Sequence, residues 1–149
     1  MRIKEIITEL FNQPVPFTWV EQRAFSAVAN FKVGDIPYRF TAHENDPGKW
    51  EVLFGIDRSY AKQHGLSQYG VTGTGNASII MATVVNIMKE FLDAYLHKIQ
   101  DLTFSADEES RQKLYARMIR RLLPGWEIKQ EGGYFFTVSR PDNSNTTSV

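Results

Sequence analysis

Two glycines directly before a long helical pattern are the residues of this chain best suited to bind an anion. Gly73 and Gly75 stand in the turn Thr72-Gly73-Thr74-Gly75-Asn76, and because glycine has no Cβ, a ligand can approach their backbone N–H groups closely. The helix that follows adds free N–H donors and a partial positive charge. This arrangement suits a pyrophosphate. The same residues also fit a tight turn with an N-cap at Thr74 or Asn76, and the sequence leaves both interpretations open.

A tyrosine on a later helix is the next candidate for chemistry. Tyr115 follows Leu114 in a helical pattern that runs to about Leu123. A tyrosine hydroxyl near a bound cofactor can give its proton to a leaving thiolate. The alternative is a core or boundary aromatic, since Leu114, Met118 and Leu122 recur at helical spacing and predict the buried face of this helix.

Composition and charge exclude several other classes of chemistry. The chain has 149 residues, with 17 basic and 17 acidic side chains, so no overall field attracts nucleic acid and we expect no specific nucleic-acid partner. It has no cysteine, which removes disulfides, thiolate metal sites and a cysteine nucleophile. His43, His64 and His97 are scattered without the spacing of metal ligands, so we expect no metal site.

The N-terminal segment carries charges where a secretory signal would be apolar. Lys4, Glu5 and Glu9 interrupt its hydrophobic residues. Nowhere does the chain approach the ~18 consecutive apolar residues that a membrane-spanning helix requires. We therefore expect a cytoplasmic protein with no membrane partner.

The elements that must position the candidate residues follow from hydrophobic periodicity. Helical spacing predicts a short helix over 2–12, a long one from Asn76 to about Leu96, and the later helix that carries Tyr115. Alternation of apolar and polar side chains predicts six strands, at 25–33, 36–42, 50–56, 102–104, 126–129 and 134–138. The first three strands are joined by turns at Gly34-Asp35 and at 45–48, which indicates an antiparallel meander. The polar stretch 57–75 is predicted to be a long loop.

The predicted class is therefore α+β, with a mixed, mostly antiparallel sheet and flanking helices in the order α-β-β-β-α-β-α-β-β. The length favours one domain, over 1–140. Residues 141–149 are rich in Ser, Thr and Asn, which predicts a disordered tail.

This order of elements, together with two short motifs, resembles the GNAT (GCN5-related) N-acetyltransferases. Members of that family bind the pyrophosphate of acetyl-CoA with a motif of the form Arg/Gln-x-x-Gly-x-Gly/Ala at a helix N-terminus. Here Gly70-Val71-Thr72-Gly73-Thr74-Gly75 fills that frame, with Gly70 where the family has Arg or Gln. Leu114-Tyr115 matches a Leu-Tyr pair on the family's later helix, and Gly125-Trp126 stands in for its Gly-Phe. The resemblance covers residues 24–139.

The resemblance implies direct transfer of an acetyl group from acetyl-CoA to an amine. The strand over 50–56 would pair with the pantetheine arm, Tyr115 would protonate the departing thiolate, and Glu51, or His43 through a water, would take the amine proton. It assigns cofactor binding to Val71, Gly73, Thr74, Gly75, Asn76 and Ala77.

A second hypothesis keeps the fold without the catalysis. The two helices that follow the first strand in the family, and that shape its acceptor site, have no clear counterpart in this sequence. The chain would then be a GNAT-like scaffold that acts through protein contacts, as an oligomer or with a partner. A resemblance to small bacteriophage proteins suggests an accessory or structural role in a phage.

Overall fold

A computed structural model of the protein describes residues 13–66, 77–105, 109–131 and 135–141. The helix predicted over 2–12, the glycine turn and the tail beyond Pro141 lie outside these ranges. The described strands are β1 Phe17–Gln22, β2 Ser26–Val33, β3 Ile36–Asp46, β4 Lys49–Ile56, β5 Asp101–Ser105, β6 Glu127–Glu131 and β7 Phe135–Ser139. The described helices are α1 Arg58–His64, α2 Ala77–Tyr95 and α3 Glu109–Leu122, with a single 3₁₀ turn at Leu96–Lys98.

The seven strands form one sheet in the order β1-β2-β3-β4-β5-β7-β6. Strand β1 pairs antiparallel with β2, and β7 pairs antiparallel with both β5 and β6. Strands β4 and β5 run parallel, from Lys49 opposite Asp101 to Val52 opposite Phe104. The predicted α+β class with a mostly antiparallel sheet is confirmed.

The order of elements differs from the predicted one at its beginning. Strand β1 precedes the predicted meander; it pairs with β2 through a bulge between Trp19 and Glu21. Its alternation is hard to read from sequence because Val20 is an exposed apolar residue.

A short helix also occupies part of the predicted loop over 57–75. The Asp57 side chain accepts hydrogen bonds from the backbone N–H groups of Ser59 and Tyr60, and Gly65 ends α1 in the left-handed conformation. The two caps fix the ends of α1. The helix has no hydrophobic stripe, since Ala61 is its one buried residue. Periodicity alone therefore misses this helix.

Both predicted hairpin turns connect strands as expected. Gly34 has a positive φ of 63° in the first turn and Gly48 one of 79° in the second. A Cβ on Gly48 would lie 3.1 Å from the Cβ of Gln100, a tight contact, so space as well as the backbone angle favours glycine in the second turn.

One compact unit takes in the chain up to Ala42 and from Leu53 to Ala94. Its core includes Phe40, which meets the ring of Phe91 on α2 with centroids 6.1 Å apart. The indole N–H of Trp19 donates to Glu90 of the same helix. Buried Thr83 accepts from the backbone N–H of Val15 and donates back to α2, so the segment before β1 is fixed to that helix.

The other unit takes in His43–Val52 and the chain from Tyr95 onward. Its centre is aromatic, with the rings of Phe104 on β5, Tyr115 on α3 and Phe136 on β7 packed against one another. At its margin Arg140 donates to the carbonyls of Leu96 and Ile99 and lies over a tryptophan ring. These hydrogen bonds cap the 3₁₀ turn that leads into β5.

A buried hydroxyl in the first unit gives a direct test of packing. Tyr38 is 2% exposed and stacks on Phe31, and within the described residues its hydroxyl has no hydrogen-bond partner. An unpaired buried hydroxyl costs stability. We expect Tyr38→Phe to raise the free energy of unfolding by about 1 kcal/mol, measured by urea denaturation at pH 7. A loss of stability instead would show that the hydroxyl is hydrogen-bonded.

The same substitution should remove an alkaline loss of stability. Burial, with a smaller contribution from Tyr60, raises the pKa of Tyr38 above its ordinary value of 10.0. Above pH 10 the unfolded chain therefore releases this proton while the folded chain keeps it, so stability falls as pH rises. Tyr38→Phe should flatten that fall, and identical alkaline profiles for both proteins would contradict the assignment.

Candidate functional site

The helix behind the predicted glycine turn begins at Ala77, directly after the turn, and confirms the long helix predicted there. Its described first turn, Ala77 to Ile80, carries no acidic side chain. The positive end of the helix dipole is therefore not offset by a local carboxylate, which favours an approaching anion. The other predicted cofactor residues, Val71, Gly73, Thr74, Gly75 and Asn76, lie outside the described residues.

Tyr115 lies inside the aromatic core of the second unit. It is 1% exposed and its ring stacks on Phe104, with centroids 4.9 Å apart and planes 28° apart. The ring of Phe136 is 6.4 Å away. The tyrosine thus has a packing role, and its predicted role as an acid stays a prediction.

The helical face that carries Tyr115 differs from the predicted one. Tyr115, Met118 and Ile119 are buried, whereas Leu114 is 37% exposed. The buried stripe is therefore displaced by about one residue from the predicted Leu114, Met118 and Leu122. Leu114 and Tyr115 are adjacent and both apolar enough to be buried, so helical spacing alone does not decide which of them faces the core.

The two residues considered as general base lie together. The Nε2 of His43 on β3 is 3.9 Å from the Oε1 of Glu51 on β4, with the side chains 37% and 29% exposed. Both are half open to solvent, so each can exchange protons with a ligand or water. A carboxylate beside an imidazole can orient the ring. The pair therefore has the composition of a general-base site.

Strand β4 continues past the end of its parallel neighbour. The β4–β5 pairing reaches Val52 opposite Phe104, and β5 ends one residue later at Ser105. Strand β4 runs on to Ile56. The described pairing with β5 therefore covers the first half of β4, and Leu53–Ile56 form the part of β4 that lies beyond it in sequence.

The remaining histidines and acids do not form a second centre in the described part of the chain. His64 Nδ1 lies 2.9 Å from the carbonyl of Tyr60 and its ring stacks on that tyrosine, which places it in the last turn of α1. Residues 13–66, 77–105, 109–131 and 135–141 contain no group of three metal-ligating side chains that could hold an ion. None of the helices in these ranges has the length and apolar character needed to span a bilayer.

Comparison with models of known protein families finds no match to this chain, and comparison with curated proteins finds none either. Function is therefore inferred from the chain's own residues. The features available to it are the helix that begins at Ala77, the His43–Glu51 pair and the extended end of β4.

Proposed function

We propose that this protein is an acyl-CoA-dependent N-acetyltransferase that moves an acetyl group from acetyl-CoA to an amine. The observation that carries the proposal is the end of β4, which runs on beyond its parallel partner β5. The pantetheine arm of coenzyme A is an extended chain with two amides. Such a chain can add to a strand edge through backbone hydrogen bonds, as peptides do.

We assign to each group the role that the GNAT resemblance implies. The glycine turn and the start of α2 would hold the pyrophosphate through backbone N–H groups. The amine attacks the thioester carbonyl carbon, and a backbone N–H of β4 stabilises the oxyanion that forms. The amine proton passes to Glu51, or to His43 through a water, and the carbon–sulfur bond then breaks. Tyr115 is proposed to return a proton to the thiolate.

Thermal melting with acetyl-CoA tests the proposal. Acetyl-CoA at 100 times its dissociation constant should stabilise the fold by about 2.7 kcal/mol. Gly75→Val should abolish this stabilisation, because a branched side chain blocks the approach of phosphate to the backbone. Thr72→Val, which introduces the same side chain in the same turn but leaves both glycines in place, should retain it. The proposal fails if millimolar acetyl-CoA leaves the melting temperature unchanged.

A non-catalytic scaffold is the second candidate, and the β1–β2 connection favours it. Three residues, 23–25, join the two strands, so this segment holds none of the helices that the GNAT resemblance would place there. Val20 and Phe25 in this hairpin are 58% and 65% exposed. Exposed apolar side chains of this size are suited to a protein partner. The same melting experiment separates the candidates, since a scaffold has no reason to bind acetyl-CoA.

A further inference from the structure

A cleft at the end of β4 carries two arginines that the proposed acetyl transfer does not use. It has a volume of about 270 Å³ and lies wholly within the first compact unit. Arg39 of β3 and Arg58, the first residue of α1, line it together with Thr41 and the last four residues of β4. Its volume is near the lower limit for small-molecule sites, which suits a ligand of amino-acid size.

Two side chains among the described residues contact the guanidinium of Arg39 and leave most of its donors available. Its Nε donates to Asn30 at 3.2 Å, and one Nη lies 3.7 Å from the carboxylate of Asp57. Asp57 is itself fixed because it caps α1. Arginine has five N–H donors, and the Arg39 side chain is 50% exposed, so several donors remain available to a ligand.

The charges in and beside the cleft favour a ligand with one negative charge. Arg58 makes no ion pair within the described part of the chain, so its charge adds to that of Arg39. Asp57 offsets one of these two positive charges. The remaining single charge matches a carboxylate, whereas a phosphate dianion carries more negative charge than the cleft offsets and meets stronger repulsion from Asp57 than a carboxylate does.

The floor of the cleft suits the apolar part of the same ligand. Leu53, which is half-buried, contributes aliphatic surface, and Gly55 adds backbone without a side chain. The floor belongs to the stretch of β4 that the proposed function assigns to the pantetheine arm. A ligand held here by its carboxylate would therefore place its amine beside the strand that carries the acyl group.

We infer that the Arg39–Arg58 cleft binds the carboxylate of the acetyl acceptor, which makes the acceptor an amino acid or a similar carboxylate-bearing amine. The assignment of this ligand as the acceptor rests on the proposed function. The binding of a carboxylate does not, because every group that performs it lies in the cleft. Neither arginine touches the acyl group, so both are binding residues that determine which amine is accepted.

A titration without acetyl-CoA tests the inference by amide chemical shifts. The probes are L-leucine and 3-methylbutylamine, which differ only by the carboxylate, and inorganic phosphate. L-leucine should shift the amides of Thr41 and Gly55, while 3-methylbutylamine should bind at least tenfold more weakly.

Arg39→Gln and Arg58→Gln should each weaken leucine binding roughly tenfold or more, since each removes a charge-assisted hydrogen bond. Arg121→Gln, at an exposed arginine of α3, should leave it unchanged.

Three results would overturn the inference. Equal binding of leucine and 3-methylbutylamine would show that the carboxylate plays no part in binding. Tighter binding of phosphate than of leucine would make the cleft a phosphate subsite. If no probe shifts the amides at tens of millimolar, the cleft is not a ligand site. Arg39→Lys keeps the positive charge but loses the planar pair of donors, so weaker leucine binding by this variant would show that the pair is needed. If the protein binds leucine but not acetyl-CoA, the cleft is a carboxylate site and the transferase proposal is wrong. If the protein binds acetyl-CoA but not leucine, only the proposed class of acceptor is wrong.

Discussion

Replacing Tyr115 with alanine is expected to lower the free energy of unfolding by about 3–5 kcal/mol, the usual cost of deleting a large buried aromatic side chain. The ring is 1% exposed and stacks on Phe104 with Phe136 close by. Its removal leaves a cavity between α3 and the strands of the second unit, which rigid neighbours fill only in part. Urea denaturation followed by circular dichroism measures the loss.

The neighbouring residue provides a matched control. Leu114 is 37% exposed, so Leu114→Ala should cost less than about 1 kcal/mol, as is usual near a protein surface. Comparable losses for the two alanine variants would mean that α3 buries the stripe predicted from its spacing, with Leu114 facing inward. Comparing the two decreases in the free energy of unfolding therefore shows which side of α3 faces the core.

Tyr115→Phe separates packing from chemistry at the same position. The change keeps the stacked ring and removes only the hydroxyl. If the hydroxyl protonates the thiolate, the variant should turn over more slowly and bind acetyl-CoA as tightly as before. Unchanged turnover would leave Tyr115 as a core residue and place the acid elsewhere.

Strands with one buried face were predictable from sequence, because packing forces their side chains to alternate. In β2, Ala27, Ala29, Phe31 and Val33 are all buried, with half-buried or exposed residues between them. The turns between β2, β3 and β4 contain glycines with positive φ, which local chemistry explains. Both signals operate over a few residues, so no knowledge of the rest of the fold is required.

The two elements that hydrophobic periodicity misses, β1 and α1, carry signals of another kind. Burial alternates along β1, but apolar Val20 is on the exposed side and charged Glu21 on the half-buried side, so the sequence pattern does not follow the burial. Helix α1 depends on the Asp57 and Gly65 caps, a signal that is present in the sequence but spans only about two turns of helix. The two cap residues would have indicated it.

The candidate site shows the same division. Glu51 could be named from its place on a predicted strand, but its proximity to His43 depends on the register between β3 and β4. Sequence patterns do not single out Arg39 and Arg58, because no motif contains both of them. They line the same cleft only when β3, β4 and α1 are assembled. Convergence of charged side chains from separate elements is a property of tertiary structure.

Glu51→Gln is expected to reduce the rate of acetyl transfer by about 10²–10⁴-fold, the contribution typical of a positioned general base. Glutamine keeps the size of the side chain and removes its ability to take a proton. Binding of acetyl-CoA should stay unchanged, since the backbone of β4 and the glycine turn would hold the cofactor. The rate is followed by release of the coenzyme A thiol with a panel of amino acids as acceptors.

The partner of Glu51 decides how the result is interpreted. If the amine proton reaches the carboxylate directly, His43→Asn should reduce the rate much less than Glu51→Gln. If His43 takes the proton through a water and Glu51 orients it, the two substitutions should have similar effects and the double variant should add little, as happens when two groups act as a unit. Glu127→Gln, at an exposed carboxylate on β6, controls for the loss of one negative charge. Full activity in both single variants would separate the His43–Glu51 pair from catalysis, and the base would then have to lie outside β3 and β4.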